Sequence, residues 1–172
     1  MKKHATAYWL LPAKAERELF CEIIRILVKQ FDGPNFEPHV TLLVTGQNRS
    51  PKEVLKQIMA APIRLKVGGT AFSSTFTKTI FVEFKPSPAL KALVVSLGKV
   101  TKSRRRSMPD PHLSLVYKSL PKPVKSALAA VIRLPFREVL FDSIEAVRLT
   151  LPVRNRGDVE RWRVVAKKSL RR

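Results

Sequence analysis

A chain of 172 residues with 45% hydrophobic content can bury a core, which excludes disorder along its whole length. Lys and Arg total 33 against 13 Asp and Glu, a formal net charge of +20. That field points to anionic partners, nucleic acid first. One cysteine, Cys21, excludes an internal disulfide, and no stretch reaches the roughly 20 apolar residues of a spanning helix. The N-terminal apolar run is stopped by Pro12 and charges, unlike a signal peptide. The expectation is a cytoplasmic protein without a membrane partner, monomeric by default.

In chain order, residues 5–11 (ATAYWLL) read as a strand. Residues 14–30 read as an amphipathic helix, with Leu19, Ile23, Ile26 and Leu27 at helical spacing. Asp32-Gly33-Pro34-Asn35 is a loop. HVTLLV from His39 is a strand, and Ser50 is placed to cap a helix from Pro51 with Glu53 in its first turn. Residues 63–67 form a strand ended by Gly68-Gly69, and 71–76 with 79–84 resemble a hairpin. A helix over 88–100, a polar loop over 101–110, a strand HLSLVY from His112 and a helix over 121–133 follow. Strands near 137–141, 144–151 and 161–166 precede a basic, frayed end.

The order strand, helix, Pro-His strand, helix, strand occurs twice. YWLLP matches FVEFKP, and EPHVTLLV matches DPHLSLVY. Such self-similarity reads as an internal duplication. It predicts a single α+β domain over 1–172 made of two pseudo-symmetric lobes. Two antiparallel sheets would face a central cleft, with helices outside.

Two of the three histidines sit in matched contexts, Pro38-His39-Val40-Thr41 and Pro111-His112-Leu113-Ser114. Residues two apart on a strand share a face. His39 with Thr41, and His112 with Ser114, therefore present an imidazole and a hydroxyl to one space. Cleaving a phosphodiester needs a base for the attacking oxygen and an acid for the leaving oxygen, and imidazoles serve both near neutral pH. The hydroxyls can donate to the non-bridging oxygens. No metal or other cofactor is needed. A lone H-x-[ST] is weak evidence; two copies at equivalent places in a duplicated unit are hard to assign to packing. Asp110 beside His112 could join a zinc site, but no local spacing such as H-E-x-x-H supports one. His4 lacks any such context.

The two H-x-[ST] strands, with YWLLP, EPHVTLLV and DPHLSLVY, resemble the 2H phosphoesterase superfamily, most of all its cyclic phosphodiesterases and 2′-5′ RNA ligase-like members. The resemblance implies a bilobal α+β fold. It also implies hydrolysis of 2′,3′-cyclic or 1″,2″-cyclic phosphates, or cleavage or joining of 2′–5′ linkages. His39 and His112 take the catalytic positions, and Thr41 and Ser114 the phosphate-binding ones. Tyr117 and Trp9 fall where similar enzymes place aromatics beside the substrate, though both also suit a core.

Arg104, Arg105 and Arg106, just before the second motif, and Arg154, Arg156, Arg161 and Arg163 suggest an RNA end rather than a mononucleotide. The leading expectation is a metal-independent RNA 2′,3′-cyclic phosphodiesterase. Its alternatives are 2′-5′ RNA ligase-like activity, hydrolysis of an ADP-ribose cyclic phosphate, and a non-catalytic RNA-binding module.

Overall fold

The computed structural model describes residues 2–46, 49–103 and 110–171. Its elements are β1 (Lys3–Pro12), α1 (Lys14–Phe31), β2 (Val40–Thr45), α2 (Pro51–Gln57), β3 (Ile63–Phe72), β4 (Ile80–Phe84), α3 (Pro88–Thr101), β5 (His112–Val116), α4 (Lys122–Val131), β6 (Glu138–Leu151), α5 (Arg156–Glu160) and β7 (Arg163–Ser169). The fold is α+β, with seven strands and five helices among the described residues. None of these helices is long and apolar enough to cross a membrane.

All seven strands join one antiparallel sheet in the order β1-β2-β5-β4-β3-β6-β7, and β1 also pairs with β6. Two separate sheets were expected. The strands of the two Pro-His motifs instead touch at one ladder position, Val40 against Leu113, which links the halves. β6 is long enough to pair with β3 through residues 138–141 and with β1 through 141–151. It therefore replaces two shorter expected strands.

Apolar alternation decides which face is covered. Tyr8, Leu10, Val40, Val82, Leu113, Leu115 and Ile144 join Phe20 of α1, Leu55 of α2 and Leu93 and Leu97 of α3 in one buried cluster. Each fully buried Leu or Ile contributes about 1.5–3 kcal/mol of transfer free energy. The alternate residues of β1 and β6 (Ala7, Trp9, Leu11, Val147 and Leu149) form a second cluster on the other face. The helices thus cover one face and leave part of the other for a pocket.

Three further expectations change. Gly68-Gly69 does not end β3: the strand continues to Phe72, with a register shift between Val67 and Gly69. Gly69 has φ 135°, which only glycine adopts at ease, so the pair makes a bulge rather than a stop. Ser50 precedes α2 but makes no side-chain capping bond. The short helix α5 was not anticipated; Asn155 caps it, accepting from the Asp158 N–H at 3.0 Å.

Candidate active site

The Val40–Leu113 pair turns both apolar residues into the core. Antiparallel pairing about that position sets His39 toward Ser114 and Thr41 toward His112 on the opposite face. Diagonal neighbours on a paired face lie about 7–8 Å apart, a span that one phosphate group and two hydrogen bonds fill. His39, Thr41, His112 and Ser114 all line one cavity of about 260 Å³, together with Trp9 and Tyr117.

A bulge shapes the first motif strand. Tyr8 pairs with Leu43 and Trp9 with Thr41, so Leu42 has no counterpart on β1. Leu42 and Leu43 both enter the core, while Val44 returns to the pocket face. Strict alternation over HVTLLV would not place both leucines inside.

The histidines are held in the same way. His39 Nδ1 donates to the Glu37 carbonyl at 2.6 Å, and His112 Nδ1 donates to the Asp110 carbonyl at 3.0 Å. A carbonyl only accepts, so Nδ1 carries the proton in both rings and Nε2 is left for chemistry. The proline between each pair, Pro38 or Pro111, fixes φ and stiffens the link. The acidic residues two before the histidines therefore serve through their backbone. The Glu37 side chain is engaged by Arg17.

The environments of the two rings differ. His39 is 6% exposed and stacks on Trp9 at 3.7 Å, with planes 11° apart. Burial pushes its pKa down to about 4; the Glu37 carbonyl opposes this, and the charge of His112 adds to it. His112 is half-buried and packs T-shaped against Phe81, ring centroids 5.5 Å apart and planes at 69°. Its pKa is also lowered, first by burial and among charges by Lys78, while the Asp110 carbonyl and the carboxylates of Asp110 and Glu83 oppose.

Ser114 Oγ donates to the Thr77 carbonyl at 2.7 Å. Tyr117 lies beside it, stacked on Phe36 at 3.9 Å, and burial pushes its phenol pKa well above the usual range. Tyr117 and Trp9 are thus core residues and pocket residues at once.

The arginines expected to face RNA make local pairs where they are described, with Arg156 and Arg161 still exposed. Arg104, Arg105 and Arg106 lie outside the described residues. Arg156 pairs with Asp32 and Glu160, and Arg161 pairs with Asp158. Arg163 donates to the carbonyls of Glu160 and Trp162.

Sequence reasoning missed Trp162, Phe36 and Thr77. Trp162 sits edge-on to Trp9 at 5.2 Å and to Tyr117 at 5.7 Å, and it lines the pocket. Its signal was an aromatic between two arginines, which carries no periodic cue. Phe36, three residues before His39, was legible only as part of the motif's approach. Among the described residues no group of three or more His, Cys, Asp and Glu side chains is placed to hold a metal ion.

The chain and its fold are similar to those of known proteins. A cyclic phosphodiesterase of Arabidopsis thaliana is 27% identical over 129 residues, covering 70% of this chain and 68% of that protein. The fold is similar to that of E. coli LigT in its apo form (TM-score 0.64, 16% identity, all of both chains). It is also similar to that of a Thermus thermophilus protein (TM-score 0.57, 21% identity, 97% and 98% of the two chains). At these identities the structural likenesses show the fold alone. The family model of the 2′-5′ RNA ligase superfamily matches residues 21–157, most of the chain, and the protein belongs to that superfamily of two-histidine phosphoesterases.

Proposed function

We propose that the protein is a metal-independent phosphodiesterase that opens 2′,3′-cyclic phosphates on a nucleotide or RNA end. The observation that carries this is the matched tethering of the two histidines. Each is anchored through Nδ1 to the carbonyl two residues before it, so both Nε2 atoms are available at the pocket that Thr41 and Ser114 also line.

The roles follow from the environments. His39, buried and held neutral, is the base: its Nε2 takes a proton from water as the water oxygen bonds to phosphorus. His112, beside two carboxylates, is the acid. Its Nε2 proton goes to the ribose oxygen as the P–O bond of the ring breaks, leaving a phosphomonoester. Thr41 donates to a non-bridging oxygen, where charge grows, and Ser114 does the same once its hydroxyl proton turns from the Thr77 carbonyl to the phosphate. In the joining direction a ribose hydroxyl replaces water.

The repeated strand-helix-strand-helix-strand order supports a single domain of two duplicated lobes. LigT has been crystallised with 3′-AMP and with ATP, which supports a nucleotide-sized ligand here. The cavity volume and the paired state of Arg156 and Arg161 favour recognition of a terminal nucleotide over a long RNA tract.

The test is a substrate panel of 2′,3′-cyclic mononucleotides, RNAs ending in a cyclic phosphate, and 2′–5′ linked dinucleotides. Turnover of the cyclic compounds is expected. Turnover of the 2′–5′ dinucleotides alone would move the assignment to the ligase-like activity.

A further inference from the structure

The charges around the second motif pose a problem for an anionic substrate. Asp110 and Glu83 both act on His112, and Glu83 is its register partner on β4. Two carboxylates beside the reacting phosphate would repel it. On the His39 side, Arg17 is occupied by Glu37 and Glu145. Hydroxyl donors orient phosphoryl oxygens but do not neutralise them.

Lys78 closes the short 3-10 turn Phe76–Lys78, and the Thr77 carbonyl of that turn receives the Ser114 hydroxyl. Its ammonium sits 4.4 Å above the Phe81 ring, and that ring packs T-shaped with His112 at 5.5 Å between centroids. Lys78 makes no ion pair among the described residues. An aromatic face attracts a cation without cancelling its charge. The lysine is thus held at the second motif with its charge unspent.

We infer that Lys78, next to the pocket-lining Thr77 rather than in the lining itself, reaches a bound phosphate from the rim and supplies the charge-assisted hydrogen bond on the His112 side that the two hydroxyls cannot. This inference rests on the reading of the pocket as a phosphoester site. Ion-assisted hydrogen bonds are roughly twice as strong as neutral ones, and they matter most where charge accumulates in the transition state. Lys78 also offsets Asp110 and Glu83 at His112. Its removal raises the His112 pKa, because burial still lowers it but no positive charge then offsets the two carboxylates.

Inorganic phosphate serves as the probe, titrated into wild type, K78M and K78R with the His112 ring followed by NMR. K78M keeps the aliphatic cover of Phe81 and removes the charge; K78R keeps the charge. K78M is expected to bind phosphate about tenfold more weakly, with an upward shift of the His112 titration, and K78R to stay within about threefold of wild type. K78M binding phosphate within twofold of wild type, or a wild type that takes up no phosphate, overturns the inference. Turnover of cyclic phosphate by wild type is measured separately. Its absence with phosphate binding intact counts against the proposed reaction and leaves Lys78 as a phosphate ligand.

Discussion

The indole of Trp9 lies flat on the imidazole of His39, ring centroids 3.7 Å apart. An indole face favours a cation, yet the pKa of His39 is lowered to about 4, so loss of water outweighs the ring's attraction. Trp9→Ala should admit water and raise the His39 pKa from about 4 toward its ordinary 6.5. It should also cost about 3–5 kcal/mol of stability. Trp9→Phe keeps an apolar cover and should move both less. NMR titration of His39 and urea unfolding measure the two effects; an unchanged His39 titration in Trp9→Ala would remove stacking as the source of its dryness.

The same ring links pH to stability. The unfolded chain protonates His39 near pH 6.5 and the folded chain near 4, so between those values the unfolded state binds more protons. Stability should therefore fall as pH drops through that window, by at most about 3 kcal/mol from this group. Asp158, held down to about 2 by Lys2 and then by the Arg154 N–H, loses its contribution only below about pH 3.8. Urea midpoints between pH 7 and 4 should decline in wild type and decline less in His39→Gln. Equal slopes would place the acid sensitivity elsewhere.

Turnover should have an acid-shifted bell-shaped profile. kcat/KM reports the free enzyme, so it rises as His39 loses its proton near pH 4 and falls as His112 loses its own below 6.5. Steady-state rates from pH 3.5 to 8 should peak between those limits. A maximum above pH 7 would contradict the base and acid assignment.

The two hydroxyls should differ on mutation. Ser114→Ala leaves the Thr77 carbonyl without its 2.7 Å donor and should cost about 1–3 kcal/mol of stability as well as activity. The Thr41 hydroxyl has no hydrogen-bond partner among the described residues, so Thr41→Val should lower kcat about 10- to 100-fold with stability nearly unchanged. Thermal unfolding beside kinetics separates the two; a Thr41→Val enzyme with full kcat would exclude the phosphate-contacting role.

Much of the site was legible because its geometry is local. Pro-His-x-hydroxyl on a strand fixes which side chains share a face, and two matched copies tell that those faces meet. The tethers were less legible. Sequence draws attention to the Glu37 and Asp110 carboxylates, while the atoms that hold the rings are their carbonyls. Trp162 was hidden because it lies just before β7, and the pairing of Arg163 with Arg148 on β6 brings it to the pocket, a placement set by tertiary structure. Gly68-Gly69 misled because a glycine pair marks a stop and a bulge equally well, and only φ at Gly69 decides. The continuity of β6 was missed because the polar pair Asp142-Ser143 interrupts its apolar run. Ser143 is buried at the β7 pairing instead.

Hydrolysis of a 2′,3′-cyclic mononucleotide in excess EDTA, by wild type, His39→Ala and His112→Ala, tests the central claim most directly. The account predicts undiminished wild-type turnover and a loss on the order of 10²–10⁴-fold in each variant, with both still folded by circular dichroism. Wild-type activity abolished by EDTA and restored by zinc, or either variant retaining wild-type turnover, would contradict it.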